Sequence, residues 1–400
     1  MTKIDNNRLN RRWDLVAFGI IVNTCLGTVY SWSVFREPLE GALGLSPAQS
    51  GIPYSVFLAA FAFSMPLGGE MMGRLGPRGT LFAGGLLLGI GWISSGLTEQ
   101  LLLVTVMFGV LGGVGVGLSY GVPLAVVGSW FPARRGLAMG LTLTGFGVSP
   151  FATAPLATLL IGELGVRTAM LVLGVVFMPL ISLLSLFFVV HSGNSPGHLD
   201  VATGSHLTLR KMLRTGRFYA LWFCYVIGTL SGLTAIGMTA SFGREVVALS
   251  AATAAGAVAA FGILNGVGRP LFGSLHDRLG TRLTVVLSFL LIASGASLSL
   301  LARAGAALPF YLGFGILWLM LGGWLAIAPA ATTHLFGSTH YARNYGVMYT
   351  AYGVGALAGG SASSLFYGRF GSYRPLFLLI ILLSAVGILV AVTALRPRRG

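Results

Sequence analysis

The chain has 400 residues, of which 55% are hydrophobic and only 9% are charged. Soluble globular proteins carry roughly 25% charged residues, so this composition excludes a chain that faces water over most of its surface. Glycine is also enriched, with 59 residues. Apolar runs recur at about the 20 residues that a helix needs to cross a bilayer, which predicts an all-α membrane protein.

The formal net charge of +15 comes from 25 Lys and Arg against 10 Asp and Glu. These charges lie between apolar segments and not on one soluble face, which argues against nucleic-acid binding. Cys25 and Cys224 lie inside apolar runs and form neither a disulfide framework nor a metal site. No nucleotide loop or embedded acid–base pair is present, so we expect no cofactor and no enzyme activity.

Taken in chain order, the apolar runs predict twelve transmembrane helices. They lie near 13–36, 50–73, 79–98, 101–128, 137–162, 167–190, 217–242, 251–275, 283–302, 305–333, 344–367 and 373–395. The connections are short except for 191–216, which is rich in Ser, Gly, His and Asn and contains Arg210, Lys211 and Arg214. We therefore predict two six-helix bundles, 1–190 and 217–400, joined by a cytoplasmic linker at 191–216.

The loop charges predict the orientation, because Lys and Arg accumulate on the cytoplasmic side. If the N-terminus is cytoplasmic, that side holds 18 Lys and Arg and the other side holds six. Both termini are then cytoplasmic. The apolar run after the basic N-terminus is too long for a signal peptide, so we expect it to be retained as the first span of a multi-pass cell-membrane protein.

An internal repeat relates the two halves. The segment Gly69–Arg78 matches Gly273–Arg282 at an offset of 204, and a second match at an offset of 206 relates 140–148 to 346–354. The matching positions of the first pair are Gly69, Arg74, Gly76 and Arg78 in one copy and Gly273, Arg278, Gly280 and Arg282 in the other. Two matches at nearly one offset indicate duplication, and repeated halves of this kind move about a midplane site in transporters.

These loops resemble the signature of the major facilitator superfamily, with Asp277 completing the second copy. The first copy has Gly73 where the family usually carries aspartate. The resemblance implies a fold of two pseudo-symmetric six-helix bundles, in which the loop residues act in gating. The alternative is a topology loop that is held only by its positive charge.

Longer segments resemble the branch that contains the oxalate/formate exchangers and the monocarboxylate transporters. They are 26–35 in the first helix, 120–123 in the fourth with 130–138 after it, and Asn344-Tyr345-Gly346 at the start of the eleventh. This resemblance implies transport of a small organic anion.

One basic residue, Arg269, lies inside a predicted span, about two turns before Asp277. An arginine in mid-membrane costs at least ~2.5–3.5 kcal/mol, so it is expected to face a cavity or a partner. The ten acidic residues all lie at helix ends or in loops, which suggests that the substrate supplies the anion. Asn265, one turn earlier, shares the face. Alternatively, Arg269 snorkels to the surface or bonds backbone carbonyls as a structural residue.

In the branch that the chain resembles, an arginine of helix eight is implied to take the carboxylate, and Arg269 occupies that position. Oxalate exchangers carry a second basic residue in helix eleven, where this chain has the neutral Tyr352. Monocarboxylate transporters carry an acid one turn before the arginine, where this chain has Asn265. A proton would then travel with the substrate acid or bind His276 or His334, for each of which an interfacial role is the alternative.

The remaining candidates for the substrate site are mostly aromatic residues that offer hydroxyl groups or apolar faces. They are Tyr30, Tyr120, Trp324, Tyr349 and Tyr352, with Leu143 on the opposite wall. Each has the alternative of packing between helices or in the headgroup region. We predict a monomeric secondary transporter of lactate, pyruvate or a similar monocarboxylate, by symport with protons or by exchange. An oxalate/formate exchanger is the alternative, and a non-transporting receptor or an enzyme is disfavoured.

Overall fold

The computed structural model describes residues 3–131, 135–189, 207–337 and 340–395. The first half contains α1 (Lys3–Leu26), a 3₁₀ turn (Gly27–Ser31), α2 (Trp32–Leu43), α3 (Pro47–Ser50), α4 (Ile52–Gly96), α5 (Leu101–Val104), a π-helical stretch (Thr105–Gly112), α6 (Gly113–Trp130), α7 (Arg135–Leu164) and α8 (Val166–Ser185). The second half contains α9 (Leu209–Met212), α10 (Gly216–Glu245), α11 (Ala251–Ser299), α12 (Leu308–Phe336), α13 (Tyr341–Phe370) and α14 (Arg374–Ala394).

Nine helical stretches of the described chain are long and apolar enough to cross a membrane. Two of them, α4 and α11, run for 45 and 49 residues and each contain two spans, while α13 supplies one more. The twelve predicted spans are therefore confirmed. Residues 191–206 of the predicted linker at 191–216 lie outside the described residues. The proposed domain boundaries therefore stay predictions.

The two long helices turn at equivalent glycines of the internal repeat. Gly76 has φ 71° and ψ 172°, and Gly280 has φ 72° and ψ 172°. Positive φ is a conformation that glycine adopts without the steric cost met by other residues. Two positions 204 residues apart thus share one unusual backbone geometry, which gives the duplication a structural basis. We call the end of the bundle with these two turns the turn face, and the opposite end the far face.

The first span extends further than predicted. Helix α2 ends at Leu43, and Arg36, the last residue of the predicted span and one of the six basic residues counted on the side opposite the N-terminus, lies inside α2 with a side chain only 2% exposed. The expectation that Arg269 is the one basic residue inside a span is therefore wrong. Arg36 Nε contacts Glu40 Oε1 at 3.2 Å, and its Nη2 donates to the Pro47 carbonyl at 3.1 Å. The Glu40 carboxylate, one turn away, allows the charge of Arg36 to be buried inside a helix. A basic residue at the end of an apolar run would otherwise be taken to mark a loop.

The two halves pack most closely where α7 meets α11. A Cβ added at Gly147 would lie 2.8 Å from Asn265 Oδ1 and 3.0 Å from Gly266 Cα. On the far face, Arg244 of α10 pairs with Glu37 of α2 at 2.8 Å. The interface between the halves thus combines a close backbone contact near the centre of the bundle with an ion pair at one end.

Gly322 tests the close packing within the second half. A Cβ at this position would lie 2.0 Å from the backbone carbonyl oxygen of Asn265, so Gly322→Ala must push α12 away from α11. Overpacking of this kind costs about 1–3 kcal/mol. We expect the melting temperature of the purified protein to fall by several degrees. Gly256→Ala on α11, where an added Cβ meets nothing within 4 Å, is the matched control. Equal melting temperatures for the two variants would contradict this packing.

Candidate functional site

Arg269 lies between the two halves, near the centre of α11. Its side chain is 7% exposed, and Nη1 donates to the backbone carbonyl of Leu143 on α7 at 2.9 Å. Nε and Nη2 are buried and have no hydrogen-bond partner among the described residues. One part of the guanidinium therefore does bond a backbone carbonyl, as the structural alternative expects. The edge formed by Nε and Nη2 stays unused.

No carboxylate oxygen of the described chain lies within the 4.0 Å ion-pair distance of Arg269. Arg36 is buried to a similar extent but has Glu40 beside it. A buried cation without a counter-ion is costly, whereas one that is paired and hydrogen-bonded is tolerated. The two buried arginines thus differ in the feature that matters for binding an anion.

Aromatic rings surround the guanidinium. The Arg269 Cζ atom lies 5.9 Å from the centre of the Phe146 ring, which is a cation–π distance. The Tyr120 hydroxyl faces the guanidinium, and Tyr30 and Tyr349 are near enough to experience its charge. We define the aromatic cluster as Tyr30, Phe61, Tyr120, Phe146, Tyr349 and Tyr352.

Within this cluster, one hydrogen bond joins the two halves. The hydroxyl oxygens of Tyr30 and Tyr352 are 2.9 Å apart, and both side chains are fully buried. Tyr352 also stacks on Tyr349, with ring centres 5.1 Å apart. Tyr352 occupies the position in helix eleven where oxalate exchangers carry a second basic residue. Here that position holds a phenol, which is hydrogen-bonded to the phenol of Tyr30. Tyr30 and Tyr352 therefore bring no positive charge to the site.

Asn265 is completely buried one turn before Arg269. Its Nδ2 donates to the Trp318 carbonyl at 3.1 Å, while Oδ1 has no partner among the described atoms. Because Oδ1 would lie only 2.8 Å from a Cβ added at Gly147, it is directed at the α7 backbone. Asn265 thus fixes α11 against its neighbours, beside Arg269.

Not every predicted site residue belongs to this group. Trp324 stacks on Tyr225 at 5.9 Å and packs on Phe289 at 5.4 Å, one ring removed from Tyr349. The repeated loop residues lie at the turn face, where Glu70 and Arg74 form an exposed ion pair and Asp277 is 82% exposed. These loop residues are therefore separate from the site around Arg269.

Two members of the site were missed by the sequence. Phe61 and Phe146 fill the space between the tyrosines, and ordinary apolar residues of a membrane helix give no signal for this role. Leu143 was predicted as part of the opposite wall, and its backbone carbonyl makes the contact to Arg269. No sequence pattern identifies a backbone contact between two distant helices.

The two histidines at the turn face contact a common residue. His276 Nε2 lies 3.0 Å from the Thr281 hydroxyl, which lies 3.1 Å from His334 Nδ1. These contacts join the start of the second span of α11 to the end of α12. They are separate from the aromatic cluster, so an interfacial structural role accounts for both histidines.

The electrostatic cost of Arg269 can be measured through stability. Arg269→Met removes an unpaired buried charge at the loss of one hydrogen bond, so we expect the ligand-free melting temperature to stay constant or to rise. Arg36→Met is the control, because it leaves the Glu40 carboxylate, 17% exposed, without its partner, and should lower the melting temperature by several degrees. A larger loss of stability for Arg269→Met than for Arg36→Met would show that Arg269 is a structural residue.

Comparison with known proteins agrees with this architecture. A solved structure of a bacterial homologue of the human lysosomal transporter Spinster, inward-facing and unoccupied, superimposes with a TM-score of 0.72 at 14% identity, covering 98% of this chain and 99% of that one. At this identity the match shows the fold alone. It supports the arrangement of α1 to α14 as two six-helix bundles.

Relatives of known name cover nearly the whole chain. The oxalate:formate antiporter of Oxalobacter formigenes is 28% identical over 395 residues, which cover 98% of this chain and 93% of that protein. Monocarboxylate transporter 12 of Homo sapiens is 27% identical over 400 residues, covering 92% and 77% respectively. These two proteins represent the branch that the sequence resembles. The family model of the Major Facilitator Superfamily matches residues 16–318 and 224–400, and the chain belongs to this superfamily.

Proposed function

We propose that this chain is a secondary transporter of a small monocarboxylate of the lactate or pyruvate type, coupled to protons. Transport follows alternating access of the two halves around a site in which Arg269 binds the carboxylate. The observation that carries the proposal is the unpaired Nε and Nη2 edge of a buried guanidinium. Two parallel N–H groups match the two oxygens of one carboxylate.

The charge balance of the site supports a monoanion. Arg269 is the basic residue beside the aromatic cluster, and Tyr30, which lies near enough to experience its charge, is a neutral phenol hydrogen-bonded to the neutral Tyr352. One carboxylate would neutralise Arg269, whereas a second carboxylate would lie against phenol rings. The apolar faces of Phe61 and Phe146 suit the short carbon chain of a lactate-sized acid.

The route of the proton follows from the residues around Arg269. Since the described part of this site contributes no carboxylate, we propose that the proton crosses with the substrate acid. Net movement of one anion with one proton is electrically neutral, so the charge balance of the cycle requires no protein carboxylate while the anion pairs with Arg269. We further propose that the protein is a monomer in a cell membrane, with both termini in the cytoplasm.

The second candidate is an oxalate/formate-type antiporter, which the relative from Oxalobacter formigenes favours by its coverage of nearly the whole chain. The two functions differ in substrate charge, because oxalate is a dianion whereas lactate and pyruvate are monoanions. Oxalate carries two carboxylates, and the neutral Tyr352 beside Tyr30 offers the second one no cation.

Uptake into proteoliposomes tests the role of Arg269. Arg269→Lys keeps the charge but loses the planar pair of donors, so we expect the apparent affinity for lactate to fall about tenfold or more. Arg269→Met should abolish uptake. Arg303→Gln, an exposed arginine after α11, is the control and should transport like the wild type. Wild-type uptake by Arg269→Met, with its fold confirmed by its melting temperature, would exclude the assignment.

A pH gradient and a competitor distinguish the two candidate functions. We expect an inwardly directed proton gradient to drive accumulation of labelled lactate without any internal counter-substrate. Unlabelled pyruvate should compete at concentrations at which oxalate does not. Accumulation that requires internal formate, together with competition by oxalate, would instead establish the antiporter.

A further inference from the structure

A groove at the turn face opens between the ends of three helices of the first half. Its volume is about 480 Å³, and its lining residues are Asp14, Leu15 and Phe18 of α1, Arg78 just beyond the Gly76 turn, and Leu186 and Phe187 beyond the end of α8. The groove is separate from the aromatic cluster and from the ion pair on the far face.

The wall of the groove is apolar and outward-facing. Leu186 and Phe187 are 56% and 50% exposed, and Phe187 packs against Phe18 with ring centres 5.0 Å apart. Trp13, next to the groove, is 47% exposed, and tryptophan is enriched at the level of the lipid headgroups. At the end of a membrane-spanning helix, such a surface is in contact with the acyl chains and the headgroups of the bilayer.

The rim of the groove carries two opposite charges that do not neutralise each other. Asp14 and Arg78 are both exposed and both line the groove. Neither makes an ion pair or a side-chain hydrogen bond within the described chain. By contrast, Glu70 and Arg74 nearby are 2.6 Å apart. The groove therefore presents a separate carboxylate and a separate guanidinium above an apolar floor.

We propose that this groove is a binding site for phosphatidylethanolamine. The lipid phosphate would accept hydrogen bonds from the Arg78 guanidinium, and the lipid ammonium would donate to the Asp14 carboxylate. An acyl chain would lie along Phe18 and Phe187. A phosphatidylcholine headgroup has the same charges, but its quaternary ammonium has no N–H to donate. Phosphatidylglycerol has the phosphate without a cation and would be repelled by Asp14.

Lipid titration of the purified full-length protein in a neutral detergent tests this site. Binding of phosphatidylethanolamine, phosphatidylcholine and phosphatidylglycerol with identical acyl chains is measured by native mass spectrometry and by the shift in melting temperature. We expect phosphatidylethanolamine to bind about three- to fivefold more tightly than the other two lipids. This ratio corresponds to one exposed, hydrogen-bonded ion pair between the lipid ammonium and Asp14.

Four variants assign the preference to the groove. Asp14→Asn should abolish the preference for phosphatidylethanolamine over phosphatidylcholine, and Asp14→Lys should reverse it toward phosphatidylglycerol. Arg78→Gln should weaken the binding of all three lipids, because each has the phosphate. Lys211→Gln, an exposed cation outside the groove, should change nothing.

Equal binding of phosphatidylethanolamine and phosphatidylcholine by the wild type would overturn the proposal. So would a preference that survives both Asp14→Asn and Asp14→Lys. Tighter binding of phosphatidylglycerol by the wild type would indicate an anionic-lipid site in its place. Because the readout is lipid binding, the result is independent of which acid the protein transports.

Discussion

The central constraint on the interface between the two halves is a positive charge that is buried where they meet. Arg269 bonds the Leu143 carbonyl across the interface and lies near the Phe146 ring. These contacts satisfy part of the guanidinium and leave the Nε and Nη2 edge without a partner. An unpaired charge at such a depth lowers stability unless a ligand completes it. The unpaired charge is therefore an electrostatic cost, and the anion of the proposed function would offset it.

The close approach of α7 and α11 places this charge. At Gly147 and Gly266 the helices are near enough that a Cβ on the first would meet the second at 3.0 Å. Small residues allow such contacts in membranes, where packing and not hydrophobicity drives helix association. The equal backbone geometry of Gly76 and Gly280 shows that each half carries the same turn. Two similar units thus meet through small residues near Arg269.

The sequence predicts the fold well because its signals are local. Span length, loop charge and the repeat at an offset of 204 each depend on neighbouring residues. Arg269 could be found because a charge in an apolar run needs an explanation. Arg36 was misplaced because the same rule treats a charge as a loop marker, and its partner Ser50 is supplied by a later segment. The Leu143 carbonyl and the packing of Phe61 depend on tertiary contacts, which no local pattern contains.

Two polar contacts that join the first span to the second half differ in chemistry. This difference bears on the proposed transport cycle. On the far face the contact is an ion pair, Glu37 with Arg244, whose side chains are 42% and 38% exposed. Beside Arg269 the contact is a bond between two buried phenols, Tyr30 and Tyr352. Partly exposed ion pairs are weak because water replaces each partner, so the far-face contact can open at low cost. A buried hydroxyl pair has no water to replace it. In the proposed transport cycle, a carboxylate that offers its own oxygen atoms would replace it and so couple opening at the centre to the presence of substrate.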